Sequence, residues 1–216
     1  LAAKLGMELR YEEGGAPHGG EGLGKRSRLI EAHRVAGEYY SDALVNLPEA
    51  RAGRDFLRER GFDRMAADTF GVGFSPRGGE ELTKHLRGKG FSDDEIVAGG
   101  LAGRGGRGLY DRFRGRLMWP IRDITGDVVG FGARRLFDDD RIEAKYLNSS
   151  ETAIYKKSSV LYGLDMAKKS IAKDRRAVVV EGYTDVMACH LAGIETAVAT
   201  CGTAFGVEHI KVLRRI

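Results

Sequence analysis

Two carboxylates four residues apart, Glu181 and Asp185, stand in the segment VVVEGYTD at 178–185. Glu181 follows an apolar, β-branched run that predicts a buried strand, Gly182 permits a sharp turn, and Asp185 falls in the first turn of the next helix. Open α/β sheets bind ligands at the carboxyl ends of their strands, and a few carboxylates with water suit Mg²⁺. The same spacing is also compatible with a helix cap at Asp185 and a surface ion pair at Glu181.

Basic residues form a second pattern in YDRFRGRLMWPIRD at 110–123. Arg112, Arg114 and Arg116 alternate with other residues, so an extended backbone would place all three on one face and Phe113 on the opposite, core-facing side. Such a row could follow phosphates, or it could be a solvated edge strand whose charges prevent aggregation. Residues 104–135 carry eight arginines against three aspartates, which indicates a polyanionic partner.

A third basic segment, AKYLNSSETAIYKK at 144–157, includes Lys145 and Lys157. These lysines lie among hydroxyls and an amide without a long apolar run, which predicts a loop or a short strand. The segment could present its lysines to phosphates, and a solvated loop explains it equally well.

Composition excludes several classes of protein. The 216 residues are 42% hydrophobic and 31% charged, which is typical of globular domains. Apolar runs are the length of a strand, far short of a membrane span, so no membrane role is expected. The two cysteines, Cys189 and Cys201, cannot form a zinc quartet or a disulfide framework. We therefore expect a protein of the reducing cytoplasm.

The elements that must position these residues change in character along the chain. We expect a glycine-rich linker over 1–26, then a helix capped by Ser27 whose apolar positions recur through Leu47. Pro48 ends that helix. Shorter helices are predicted at 49–60, 64–69, 80–86 and 93–98, and Ser92 with Glu95 matches a capping box.

Strands follow in the middle of the chain. Residues 117–121 and 128–131 predict a hairpin around Thr125-Gly126-Asp127. Gly130 and Gly132 interrupt its second strand, which indicates close approach by a neighbour or a ligand. A short strand at 146–147 and a helix at 163–172 complete a lobe that we expect to span 27–174.

The last segment, 175–216, alternates apolar strands with helices. Strands are predicted at 177–180 and 196–200, and helices at 185–191 and 207–213. Short apolar strands alternating with helices indicate a parallel sheet covered on both faces. Because two parallel strands would be an unusual end for a domain, we expect the chain to be truncated within this α/β unit.

Several motifs occur in an order that resembles one family. The motifs are YDRFRGRLMWPIRD, GFGAR at 130–134, AKYLNS at 144–149, LYGL at 161–164 and VVVEGYTDV at 178–186, and together they resemble bacterial replicative DNA primases of the DnaG type from about residue 28 onward. The resemblance implies an α+β and α/β fold, in which a basic, helical and mixed amino-terminal lobe precedes the start of a Toprim lobe.

The family's functional residues map onto matching positions. The resemblance implies that Glu181 and Asp185 are the catalytic and metal-holding carboxylates, with Mg²⁺ or Mn²⁺ as the ion. It implies that the contacts with template or nucleotide are made by Arg112, Arg114, Arg116, Arg134, Lys145 and Lys157. Thr184, Ala133 and Ser150 depart from the family's more frequent residues, and none of these changes removes a charge.

The resemblance also implies an activity and partners. The parent would be a nucleotidyltransferase, a DNA-directed RNA polymerase that makes short RNA primers from NTPs on single-stranded DNA during chromosome replication. It would belong to the cytoplasmic primosome and contact the replicative helicase through regions outside this chain. Zinc is expected only in an amino-terminal module that this chain lacks. Since the family's DxD carboxylates are also missing, we expect no useful synthesis from this chain alone.

Three alternatives remain open at this point. A Toprim topoisomerase or nuclease would share the second lobe. A non-catalytic single-strand-binding module would need only the basic segment, and its DNA affinity would be independent of Glu181 and of Mg²⁺. The helical first half, with zero net charge over residues 1–108, could be a separate interaction domain.

Overall fold

The computed structural model describes the backbone of residues 18–216 and the side chains of residues 22–216. The first element is a long helix, α1 (His18–Asn46), which buries Ala32, Ala36 and Tyr40 on one face. The helix begins nine residues before the predicted cap at Ser27, so residues 18–26 of the expected linker are helical. Residues 1–17 lie outside the described residues. Once the buried turns are anchored, propagation adds one hydrogen bond per residue and extends the helix through its glycines.

Four shorter helices follow a 3₁₀ turn at Pro48–Ala50, and the first, third and fourth of them pack against α1. The capping box of the last of them is confirmed: Ser92 N–H donates to Glu95 Oε2 at 2.8 Å, and Glu95 N–H donates to Ser92 Oγ at 3.2 Å. These helices agree with the sequence prediction to within two residues at each end. They are α2 (Arg51–Glu59), α3 (Arg64–Phe70), α4 (Glu81–Gly88) and α5 (Asp93–Ala98).

Six strands form two antiparallel sheets in this lobe. The strands are β1 (Gly73–Ser75), β2 (Ala102–Gly105), β3 (Gly108–Asp111), β4 (Arg116–Arg122), β5 (Val128–Arg135) and β6 (Tyr146–Asn148). The main sheet has the order β1-β4-β5-β6, and β2 pairs only with β3. The predicted hairpin is therefore confirmed as β4 and β5, whereas the β2–β3 hairpin is a feature that the sequence analysis did not predict.

The remaining elements form a third sheet, of three strands, together with helices. They are β7 (Leu161–Tyr162), α6 (Leu164–Asp174), β8 (Val178–Val180), α7 (Tyr183–Leu191), β9 (Ala197–Thr200) and α8 (Val207–Leu213). Its strand order is β7-β9-β8; β8 and β9 are parallel as predicted, and β7 is antiparallel to β9.

Burial on both faces, which was predicted for these parallel strands, is found only for β9. Val198 packs against α6, and Ala199 packs on the opposite face with Tyr183 and Val186. Strand β8 lies at the edge of the sheet, and Val179, the register partner of Val198, is 41% exposed. The difference arises because an edge strand is covered from fewer directions than a central one.

A continuous core joins the main sheet to the three-stranded sheet. Trp119 of β4 belongs to the same buried cluster as Tyr162 of β7, Tyr183 of α7 and Cys201. Within residues 18–216, the structure has no helix long and apolar enough to cross a membrane.

Candidate nucleic-acid and metal site

The main sheet divides the candidate basic residues between its two faces. Arg116 is directly opposite Arg135, and Leu117 is directly opposite Arg134 in the β4–β5 register. Because neighbouring residues of a strand point to opposite faces, Arg116 and Arg134 lie on different sides of the sheet. The candidate residues therefore do not form one continuous surface.

Arg116 is a buried structural residue with 1% exposure. Its Nε donates to Asp140 Oδ2 at 2.8 Å, and its terminal nitrogens donate to the carbonyls of Ile142 at 2.7 Å and Ala144 at 3.1 Å. This side chain holds the loop between β5 and β6. Arg116 is therefore not an exposed member of the predicted row, although it lines the same cleft as Arg112 and Arg114.

The row is broken because the backbone turns between β3 and β4. Gly115 has φ +59°, a left-handed conformation that suits glycine, and its N–H donates to the Ser75 carbonyl at 2.8 Å. Phe113 is buried at 1% exposure, as predicted for the core-facing residue. Arg112 and Arg114 remain half-buried on the approach to the turn.

Arg112 and Arg114 line an open cleft of about 490 Å³. We call this the arginine cleft, and its charged and aromatic lining residues are Arg77, Tyr110, Asp111, Arg112, Arg114, Arg116, Phe137, Asp139, Asp140 and Arg141. The Arg77 guanidinium carbon lies 4.1 Å from the centre of the Phe137 ring, and Arg77 also pairs with Asp139. Arg112 and Arg114 form no ion pair with any residue that the structure describes, which leaves their charge available to a ligand.

Arg134 lies on the other face of the sheet, beside a cation that the sequence analysis missed. The guanidinium carbons of Arg60 and Arg134 lie 3.5 Å and 4.1 Å from the centre of the Phe56 ring. Burial, with a smaller contribution from Arg60, lowers the pKa of Arg134, and Tyr146 opposes this shift. Phe56 and Arg60, four residues apart at the end of α2, have the spacing at which side chains meet on a helix, and this spacing could have indicated their contact. Such pairs are common on helices, however, and nothing in the spacing pointed to Arg134.

Two further predicted residues, Lys145 and Lys157, lie on either side of β6. Lys145 is exposed, and its carbonyl accepts from Arg135 N–H at 2.9 Å. Lys157 is half-buried at a 3₁₀ turn, where its carbonyl is 3.0 Å from His209 Nε2. The positive charge of Lys157 acts on Cys201, whose pKa burial raises to about 12. Lys157 thus lies beside α8.

The two carboxylates occupy the strand–turn–helix corner that the sequence predicted. Glu181 follows β8 and is exposed, with no ion pair to any described residue. Asp185 Oδ2 accepts from Gly182 N–H at 3.0 Å, so Asp185 does cap α7. Within residues 22–216 no group of three or more His, Cys, Asp or Glu is arranged to hold a metal. Glu181, and the second oxygen of Asp185, fit a divalent cation only as part of a larger ligand set.

Tyr183, also missed by the sequence analysis, connects the carboxylate corner to the main sheet. Its ring occupies the space where a Cβ of Gly132 would lie, and it stacks on Trp119 with ring centres 5.5 Å apart. Its hydroxyl donates to Asn148 Oδ1 at 2.8 Å. The close approach predicted at Gly132 is therefore confirmed, and the approaching group is the first residue of α7.

Comparison with known families defines the class to which this fold and site belong. Residues 39–168 match the DNA primase catalytic core, N-terminal domain, and residues 175–215 match a Toprim domain. The first match covers more than half of the chain, so the chain belongs to the family of DNA primase catalytic cores. This match separates it from other Toprim proteins, the topoisomerases and nucleases.

The particular relatives are DNA primases. The chain is 63% identical over 216 residues to the DNA primase of Streptomyces coelicolor and 56% identical over 216 residues to that of Mycobacterium tuberculosis. Each alignment covers all of this chain, but only 33% of the first relative and 34% of the second. The chain therefore spans about a third of the curated relatives it matches.

Solved structures agree with this assignment. The RNA polymerase domain of Mycobacterium tuberculosis DnaG, in complex with a double-stranded DNA oligomer with a 6-nucleotide overhang, superposes with a TM-score of 0.86 at 59% identity, covering 88% of this chain and 59% of that one. A DnaG primase catalytic domain bound to single-stranded DNA gives a TM-score of 0.78 at 37% identity, covering 89% and 59%.

Proposed function

We propose that this chain is the template-holding and nucleotide-holding part of a primase, which synthesises short RNA primers from NTPs on single-stranded DNA. One observation supports this proposal most strongly: the lobe that contains the arginine-lined cleft is connected to the turn of Glu181 by the hydrogen bond between Tyr183 and Asn148. The sequence relationship to DNA primases supports it. Such an enzyme is a nucleotidyltransferase that works in the cytoplasm at the replication fork.

The arginine cleft is the proposed track for the single-stranded template. Arg112 and Arg114 supply charges without carboxylate partners among the described residues, and Tyr110 and Phe137 supply aromatic faces. Single-strand sites combine a positive groove with stacking side chains, and they tolerate many sequences because every base has a π-face. Arg116 takes no part in DNA binding in this proposal, because its guanidinium is buried and bonded to the protein.

Arg134, Lys145 and Lys157 are the proposed nucleotide contacts. Arg134 shares the Tyr183 side of the sheet, Lys145 lies opposite Arg135 immediately before β6, and Lys157 lies beside His209 of α8. We infer that a triphosphate would bind near the edge at which β8 and β9 both end, because α/β sheets bind ligands there. A triphosphate placed there would meet positive charge from the first lobe and the Glu181 carboxylate from the second. Arg60 is a further candidate on the Arg134 side.

Glu181 is the proposed ligand for Mg²⁺ or Mn²⁺, with Asp185 as its neighbour in the same turn. Asp185 keeps one oxygen on Gly182 N–H, which fixes the turn and leaves the other oxygen free to orient a metal-bound water. When bound, a divalent ion would stabilise the charge that develops on the attacking 3′ oxygen and on the triphosphate. Any zinc would belong to a separate module, since neither Cys189 nor Cys201 belongs to a metal-binding group in the described residues.

We expect this chain by itself to bind DNA without making primers. Two carboxylates, one of them engaged as a cap, are too few to hold two ions against the attacking and leaving oxygens. Contact with the replicative helicase is likewise proposed for other regions of the primase. The non-catalytic single-strand-binding module remains the competing function, because the arginine cleft alone would support it.

Primer synthesis by a primase of the relatives' full length, carrying this segment, tests the proposal. Labelled NTPs and a single-stranded template would be incubated with wild type, Glu181→Gln and the control Glu195→Gln, whose carboxylate bonds to Ser170 on α6. We expect primers from wild type and control and a loss of at least about 100-fold for Glu181→Gln. Equal DNA binding by all three proteins with no primers from any would establish the binding module instead.

A further inference from the structure

The ring of Tyr183 is fixed on three sides. It lies over Gly132, it stacks on Trp119 with an interplanar angle of 12°, and Tyr162 meets it edge-on with ring centres 4.8 Å apart. Tyr183 is only 5% exposed. Two rotatable bonds and three neighbours therefore hold its hydroxyl at a defined point.

Among the described residues, that hydroxyl makes one hydrogen bond between the lobes. It donates to Asn148 Oδ1 at 2.8 Å. Asn148 ends strand β6 of the main sheet. The bond thus connects the first residue of α7 to the last residue of β6.

Asn148 makes a second approach to the other sheet. Its Nδ2 occupies the space where a side chain at Gly202 would lie, and Gly202 has φ +74° in the turn after β9. One asparagine therefore reaches the turns that follow both parallel strands. Any shift of β6 relative to these turns would break the bond with Tyr183 or press the amide into Gly202.

We propose that Tyr183 is a positioning residue that sets the Glu181 carboxylate relative to strand β6 through its hydrogen bond to Asn148; this rests on the proposed function. Glu181 is two residues before Tyr183, in the turn that Asp185 caps. The bond joins this turn to the strand that follows Lys145, so the carboxylate and the cations proposed to hold the triphosphate move as one unit.

Tyr183→Phe in the full-length primase described above tests this role, because the ring still fills the space over Gly132 and only the hydroxyl is lost. Tyr162→Phe is the matched control, because it removes a buried hydroxyl from the same aromatic cluster. The Tyr162 hydroxyl has no hydrogen-bond partner among the described residues. For each variant we would measure the Mg²⁺ concentration for half-maximal primer synthesis, kcat, KM for NTP, and the thermal midpoint.

We expect the half-maximal Mg²⁺ concentration of Tyr183→Phe to rise about tenfold or more, as occurs when a group that orients a metal ligand is removed. Tyr162→Phe should stay within about twofold of wild type. A merely structural role would lower the thermal midpoint and leave the Mg²⁺ dependence unchanged, and that result would overturn the proposal. Failure of wild type to make primers would instead count against the proposed function.

Asn148→Leu supplies a second route if Tyr183→Phe does not fold, since it removes the acceptor of the same bond. It should shift the Mg²⁺ dependence in the same direction. Where both single variants fold, the double variant should be no worse than the more impaired single one, because both changes break one interaction. Fully additive losses would contradict a shared role.

Discussion

The phenol ring of Tyr183 lies against the Cα of Gly132, in the space that any larger residue at 132 would need. Gly132 lies in β5 of the main sheet and Tyr183 begins helix α7 of the second lobe, so their contact makes the second lobe part of the core of the first. The absence of a side chain at 132 is therefore a requirement of how the lobes pack. It also explains why the second strand of the hairpin contains a glycine at its centre.

Gly132→Ala is expected to destabilise the fold, because the new methyl group would collide with the Tyr183 ring. Overpacking of this kind costs about 1–3 kcal/mol, which urea unfolding would measure. Gly88→Ala is the control, since a Cβ there meets nothing within 4 Å and α4 gains a better helix former. An unchanged midpoint for Gly132→Ala would show that the two sheets separate easily.

Arg116→Met should destabilise the protein by about 3–5 kcal/mol, because it leaves the Asp140 carboxylate and two carbonyls without their buried donor. Arg104→Met, which breaks the exposed ion pair with Asp94, should change stability by no more than about 1 kcal/mol. Equilibrium unfolding of both variants measures the difference. Similar small effects would place Arg116 among the surface arginines after all.

Stability should fall between about pH 6.5 and pH 4 because of His33. Burial lowers the pKa of His33 to about 4, although the Leu29 carbonyl opposes this shift. The unfolded chain takes up the proton near pH 6.5 and the folded chain only near pH 4, so the stabilisation is complete above the first value and is lost as the pH falls toward the second.

The loss attributable to His33 is about 3 kcal/mol, at 1.36 kcal/mol for each pKa unit. His33→Asn removes the titrating ring, so its stability should depend less on pH over this range. Urea melts of both proteins at several pH values provide the comparison. Parallel curves for the two proteins would mean that other groups cause the acid dependence.

Local sequence signals predicted most elements of the fold. Helix α5 and helix α8 have the predicted bounds, and the β4–β5 hairpin follows from its turn and its apolar flanks. Each is specified by residues near it in sequence, through a capping box, helical periodicity or turn chemistry. The β2–β3 hairpin was missed because its strands are short and rich in glycine, so alternation could not be recognised.

The site was predicted less completely, for reasons of tertiary structure. The alternation of Arg112, Arg114 and Arg116 places the three side chains on one face only if the backbone is extended throughout. The backbone is not extended at Gly115, which has a positive φ. Asp140, which holds Arg116, comes from a loop distant in sequence. The glycine at 132 did predict a close approach, but nothing local identified Tyr183 as the approaching residue.

We propose that Arg112 and Arg114 bind the single-stranded template while the buried Arg116 does not. Fluorescence anisotropy of labelled single-stranded DNA with this chain, over a salt series, tests it most directly with Arg112→Ala/Arg114→Ala. The control is Lys173→Ala/Arg176→Ala, which removes equal charge at exposed positions before β8, away from the arginine cleft.

We expect weaker binding for the arginine double variant and a log–log salt slope shallower by about 1.4, which is the expected loss of two phosphate contacts. The control should keep the wild-type slope to within about 0.7, the value of one contact. Equal slopes for both double variants would rule out the proposed template track, because the arginine cleft would then contribute no more to DNA binding than charge placed elsewhere.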